Sequence, residues 1–198
     1  VEMLRQYWQE RAQEEIERQS SAGPFAGFVL LSAPEWDVEA FKTALKADWD
    51  IGYPPEDGEQ ASANDNHSTL VFDVEGMTVA ASLMDFPVPD GEAEYWANSN
   101  FMEREKALAA AKDHKAHVMI AVVDKEHPPK ERGELYVKIV STLLRAPNAL
   151  GVYTNGTVWL PDYFIQVSQD LKEGDLPLMD LVFVGLVRYE KGICGWTN

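Results

Sequence analysis

Two apolar runs, Leu70–Val74 and Met77–Met84, are separated only by the dipeptide Glu75-Gly76. A connection this short joins antiparallel neighbours, so the pair predicts a β-hairpin. A two-stranded hairpin is barely stable alone in water, so further strands or a covering helix are required. The rest of the chain supplies both. Phe28-Val29-Leu30-Leu31 reads as a buried strand, and Asp37 as the cap of a helix whose buried face is Val38, Phe41, Leu45 and Trp49. Residues 52–66, rich in Gly, Pro, Asn and acids, predict an exposed loop. Pro87 and Pro89 end the hairpin's second strand. Residues 91–114 predict one long helix, with Ala93, Ala97, Ala107, Leu108, Ala110 and Ala111 available for close packing.

Val118–Val123 is the most β-like run and predicts a central strand. His127-Pro128-Pro129 closes it, and a helix follows over Leu135–Leu144, stopped by Pro147-Asn148. Ala149–Tyr153 predicts a short strand before the Asn155-Gly156 turn. Pro161 suits the first turn of a helix reaching about Leu171, and Leu181–Val187 predicts a last strand before a polar tail. The order β-α-β-β-α-β, then α-β-α-β, gives an α+β fold. Its first six elements match the ferredoxin-like, split βαβ arrangement, one sheet with helices on one face, extended by the later αβαβ segment. Leu4, Trp8, Ala12 and Ile16 recur every fourth residue as a narrow apolar stripe on a helix, ended by Ser20, Ser21, Gly23 and Pro24. The division expected is a helical appendage over residues 1–24, able to dock on its own domain, a partner or another copy, and one domain over 25–198.

Charge narrows the partners. The formal net charge is −16 over 198 residues, and the span from Ala47 to Glu103 contains no Lys or Arg. It holds thirteen carboxylates: Asp48, Asp50, Glu56, Asp57, Glu59, Asp65, Asp73, Glu75, Asp85, Asp90, Glu92, Glu94 and Glu103. Such a balance opposes nucleic acid, whose binding requires cations to displace phosphate counterions, and it opposes anionic membranes. A field of one sign attracts a basic partner and speeds its encounter; acidity also serves solubility alone. Tyr53 beside the acidic loop and Trp96 in the acidic helix start are candidate aromatic anchors in a charged rim, although Trp96 equally suits the core. The partner-binding candidates are therefore Asp50, Tyr53, Glu56, Asp57, Glu59, Asp90, Glu92, Glu94 and Trp96.

A second candidate set is a ligand site of His114, His117, Tyr153, Asn155 and Thr157, with Glu92 and Glu94 as acid–base groups. Each has an ordinary structural reading. Carboxylates at a helix start and a histidine near its end both complement the helix dipole, residues two apart on a helix diverge, and Asn-Gly is a turn former. Two histidines and a distant carboxylate, such as Asp85 or Glu94, are the most a zinc site could draw on, and there is no HExxH string. Asp57-Gly58 and Asp90-Gly91 are turn dipeptides without the alternating oxygens of a calcium loop. Neither a P-loop, a G-x-G-x-x-G nor a G-x-S-x-G string is present, so no cofactor and no catalytic nucleophile is expected. Cys194 is the single cysteine, which excludes an internal disulfide and fits a reducing compartment; with no apolar run long enough to span a bilayer, the expected location is cytoplasmic. Val1 is not an initiator methionine and leaves room for an upstream segment.

Several strings point to a family. Val29-Leu30-Leu31-Ser32, Trp36-Asp37 and Gly76-Met77-Thr78-Val79-Ala80 come first, then Pro87-Val88-Pro89-Asp90-Gly91-Glu92-Ala93-Glu94 and Asn100-Phe101-Met102. His114-Lys115-Ala116-His117, Asn148-Ala149-Leu150-Gly151-Val152-Tyr153 and Gly156-Thr157-Val158 follow in order. From Phe25 to the C-terminus the chain resembles the bacterial domain of unknown function DUF4261. The resemblance implies an accessory or immunity-type protein associated with secreted toxins, and a terminal piece beyond Gly195-Trp196-Thr197-Asn198. The expectation from sequence is thus a non-enzymatic acidic domain that binds a basic protein such as a toxin, with a small-ligand or hydrolytic site at the histidines as the alternative, and oligomerisation through residues 1–22 as a third.

Overall fold

The structure, a computed structural model, describes residues 23–52 and 69–182 and the backbone of 184–189 and 192–197. The stripe over residues 1–22 and most of the acidic loop lie outside the described residues. The strands of the main sheet are β1 (Phe25–Leu31), β2 (Thr69–Val74), β3 (Met77–Met84), β4 (Ala116–Val123), β5 (Ala149–Thr154) and β6 (Thr157–Trp159). Every pairing in it is antiparallel, and the strand order is β2-β3-β4-β1-β5-β6. The helices are α1 (Val38–Trp49), α2 (Glu92–Ala97), α3 (Arg104–Asp113), α4 (Pro129–Leu143), α5 (Pro161–Ser168), α6 (Asp170–Glu173) and α7 (Leu178–Leu181). A separate hairpin, β7 (Val184–Tyr189) with β8 (Gly192–Thr197), ends the chain. The fold is α+β.

Local chemistry sets the turns. Glu75 and Gly76 have φ of 53° and 86°, and Asn155 and Gly156 have φ of 50° and 76°. Two consecutive positive φ values match the twist of a two-residue hairpin, which is why glycine stands second in each. Asp73 Oδ1 accepts from the Gly76 N–H at 2.8 Å. Asp37 caps α1 as expected, its Oδ1 accepting from the Ala40 N–H at 2.9 Å.

The strand order departs from the ferredoxin-like one. There, the first strand lies beside the hairpin's second strand; here β4 takes that place and β3 packs on β4. A split β-α-β unit is nonetheless present, displaced along the chain. β4 and β5 both run antiparallel to β1, hence parallel to each other, and α4 crosses between them over β1. The expected long helix over 91–114 is broken into α2 and α3. Buried Asn100 turns the chain: its Oδ1 accepts from the Met102 and Glu103 N–H groups at 2.9 and 2.8 Å, and its Nδ2 donates to the Val158 carbonyl at 2.8 Å. A side-chain amide that satisfies backbone donors competes with helix continuation. The expected last strand over Leu181–Val187 starts later, since Leu181 closes α7, and the tail after it is β8.

Helices cover both faces of the sheet, not one. Val29, Leu31, Phe72, Val79, Val118, Ile120 and Val122 form the larger core with Phe41 and Leu45 of α1, Tyr136 and Ile139 of α4 and Phe164 of α5. On the opposite face Leu30, Tyr153 and Val158 pack with Ala93 and Ala97 of α2 and Ala107 and Ala111 of α3. The alanines matter there, because small side chains let two short helices sit close to the strands.

Candidate functional site

The two histidines are structural clamps on one exposed loop. His114, which ends α3, is buried; its Nε2 accepts from the Val88 N–H at 2.8 Å, and its Nδ1–H donates to the Ala111 carbonyl. The two bonds together require the neutral ring. His117 on β4 is also buried and donates from Nδ1 to the Phe86 carbonyl at 2.9 Å. Its ring stands edge-on to Phe28 at 5.4 Å and Phe86 at 5.6 Å. Burial holds the His117 pKa below the ordinary histidine value. Between them the histidines tie down the backbone of 86–88, while Asp85, Phe86, Pro87, Pro89, Asp90, Gly91 and Glu92 face solvent. Replacing His114 by Ala strands a buried Val88 N–H, a loss of about 1–3 kcal/mol. Hydrogen exchange at the Val88 amide should quicken accordingly in His114→Ala, and an unchanged rate would show that the clamp is not formed.

The remaining ligand-site candidates do not close a pocket. Tyr153 on β5 stacks on Phe28 at 5.7 Å, and burial followed by the neighbouring Glu92 carboxylate raises its pKa. Glu92 thus lies beside Tyr153, whereas Glu94 leans toward Gly91 and has Oε2 buried with no hydrogen-bond partner among the described residues. Asn155 forms the β5–β6 turn and donates from Nδ2 to the Leu181 carbonyl at 3.0 Å. Thr157 is buried, its hydroxyl without a partner among the described residues. Glu92, Tyr153, Phe28 and His117 therefore make a contiguous packed row, with Asn155 and its Leu181 contact apart from it. Among the described residues no group of three or more His, Cys, Asp or Glu side chains could hold a metal ion.

The acidic candidates divide between the two sides of the sheet. Asp50 is the left-handed C-cap of α1 and pairs with Lys46 at 2.8 Å, on the side of the larger core. Asp48 pairs with Arg145 at 3.0 Å, and Glu103 with Lys106. Asp90, Glu92 and Glu94 lie on the opposite side, at the start of α2, where Asp90 adopts a φ of 57°. The described carboxylates of 47–103 thus do not make one surface, because the sheet separates α1 from α2. Tyr53, Glu56, Asp57 and Glu59 lie outside the described residues. Trp96 is half-buried against the α2–α3 core, and its neighbour Tyr95 is the exposed aromatic. Among the described residues, Asp85, Asp90 and Glu92 take part in no ion pair.

A cleft of about 350 Å³ lies between the start of α1 and the end of α4, lined by Trp36, Phe41, Leu143, Arg145 and Asn148. The Trp36 indole N–H is buried there without a partner among the described residues. No local pattern signals a cleft formed by residues a hundred positions apart. Among the described residues no helix is long and apolar enough to cross a membrane. Comparisons with protein-family models, with curated proteins and with solved structures found no match.

Proposed function

We propose that this chain is a non-enzymatic protein-binding domain that engages a basic partner through the Asp85–Glu92 loop and the start of α2. Immunity-type neutralisation of a cationic toxin is its most concrete form, and the resemblance noted in the sequence adds to it. One observation supports this reading above the rest. An eight-residue stretch presents Asp85, Asp90 and Glu92 without ion-pair partners among the described residues, beside exposed Phe86 and Tyr95, while His114 and His117 hydrogen-bond its backbone at Val88 and Phe86. Preorganised carboxylates around aromatic anchors favour specific recognition of a cationic surface. The histidines that acid–base chemistry would need are engaged in backbone hydrogen bonds, which weighs against a hydrolytic site.

The test is calorimetric titration of the full chain against a panel of strongly basic toxin domains at about 0.05 and 0.5 M salt, which spans the Debye lengths that matter. Binding of a cognate toxin should weaken at least about tenfold across that range, and D85N/D90N/E92Q should lose about as much at low salt. Affinity that ignores both salt and these substitutions overturns the reading.

A further inference from the structure

One face of the sheet is closed by α1, α4 and α5, but the other is closed only over β1, β5 and β6, where α2 and α3 pack. Over β2, β3 and β4 that second face carries no helix among the described residues. The strand alternation shows it directly. Along β4, Val118, Ile120 and Val122 are buried on the core side, while Met119 and Val123, facing the other way, are 40 % and 48 % exposed. Pairing aligns Val71, Ala80, Ala121 and Ala26 in one row across four strands, with Met119 on one side of it and Val123 on the other. The row is low because three of its four side chains are methyl groups. Phe86, 47 % exposed, stands at the His117 end of the face.

The dimensions fit one helix. Three strands at about 4.8 Å spacing give a trough about 10–14 Å wide, and eight-residue strands run about 26 Å. An α-helix is about 10–12 Å across, and about 17 residues span that length. The charge selects the helix. None of β1 to β4 contains a Lys or Arg; exposed Asp85 follows β3 at one end of the face, exposed Glu75 precedes it at the other and Asp73 lies on β2, while Lys115 and Lys125 flank β4. Exposed aliphatic side chains on a shallow acidic-rimmed floor call for an occupant that is apolar on one side and cationic on the other.

We propose that the β2–β3–β4 face left open by the described residues receives a cationic amphipathic helix of a partner protein, with Ala80 and Ala121 as the floor and Met119, Val123 and Phe86 as apolar contacts. This rests on the basic-partner reading above and adds its apolar half. The experiment uses two synthetic peptides of equal charge and about 18 residues, one with leucines at helical spacing among lysines, the other with serines in their place. The leucine–lysine peptide should bind the full chain at least about tenfold tighter than the serine–lysine peptide, with amide shifts centred on Ala80 and Ala121, and the surface variant M119N/V123T should remove that advantage. Equal affinities, with shifts confined to the Asp85–Glu92 loop and α2, overturn the helix-docking face but leave the acidic reading standing. Failure of both peptides to bind at low salt sinks the acidic reading and this inference with it. A wild-type dimer that M119N/V123T dissociates shows that a second copy occupies the face, and also overturns it.

Discussion

Asp180→Asn is expected to stabilise the fold at neutral pH, and the gain should grow as pH rises. Asp180, on α7, is fully buried, and among the described residues neither carboxyl oxygen has a hydrogen-bond partner. Burial, and next the nearby Asp170 charge, push its pKa from 3.8 up to about 9. The folded state therefore keeps the carboxyl neutral at pH 7, whereas the unfolded chain ionises it. A raised folded-state pKa means that the unfolded state releases the proton first, so stability is greatest below about pH 4 and is lost as pH climbs toward 9. At about 1.4 kcal/mol per pH unit, the three units between 3.8 and 7 correspond to a cost on the order of 4 kcal/mol. Asparagine keeps the shape and cannot ionise, so the cost disappears. Thermal unfolding of the two proteins should coincide near pH 4 and diverge by on the order of 10 °C at pH 7. A wild type whose melting temperature is flat with pH, paired with a less stable Asp180→Asn, would mean that the carboxylate is charged and partnered in the fold.

The second large effect concerns the packing of β1 on α4. A Cβ built on Gly27 would overlap the Tyr136 hydroxyl and stand 3.1 Å from the Tyr153 carbonyl oxygen. Tyr136 is fully buried, and its hydroxyl donates to Thr154 Oγ1 at 2.8 Å, which in turn donates to the Ala26 carbonyl at 3.3 Å. A rigid ring held at its tip has nowhere to move, so Gly27→Ala should cost about 3 kcal/mol through overpacking and the lost hydrogen bond. Tyr136→Phe removes the obstructing oxygen. In the Gly27→Ala background it should restore at least about 1 kcal/mol, although alone it destabilises. Denaturant melts of the four proteins measure the coupling. Strictly additive losses would rule out the clash as the cause.

Both effects arise on the well-covered side of the sheet, away from the surface proposed for binding. Melting temperature and peptide affinity can thus be varied separately, since Asp180 and Tyr136 belong to the α4 side and Met119 and Val123 to the open side.

Short apolar runs and turn dipeptides made β1 to β5 legible, because a buried strand must be apolar and the two positive φ values of a two-residue hairpin suit Glu-Gly and Asn-Gly, with glycine second. The Asp37 cap, the Pro161 helix start and the α+β class were legible for the same local reason. Strand order was not: any apolar strand can pair with any other, and only the assembled core decides that β4 lies between β3 and β1. The break at Asn100 has no local signal, because its amide acts on backbone groups two and three residues on while anchored to distant Val158. The roles of His114 and His117 depended on Val88 and Phe86, 26 and 31 residues earlier in the chain, so sequence marked them as chemically able and tertiary structure made them clamps. Net acidity was fixed by composition, but which carboxylates stand without cations was decided by the sheet, which puts α1 and its ion pairs on one side and the bare Asp85–Glu92 loop on the other.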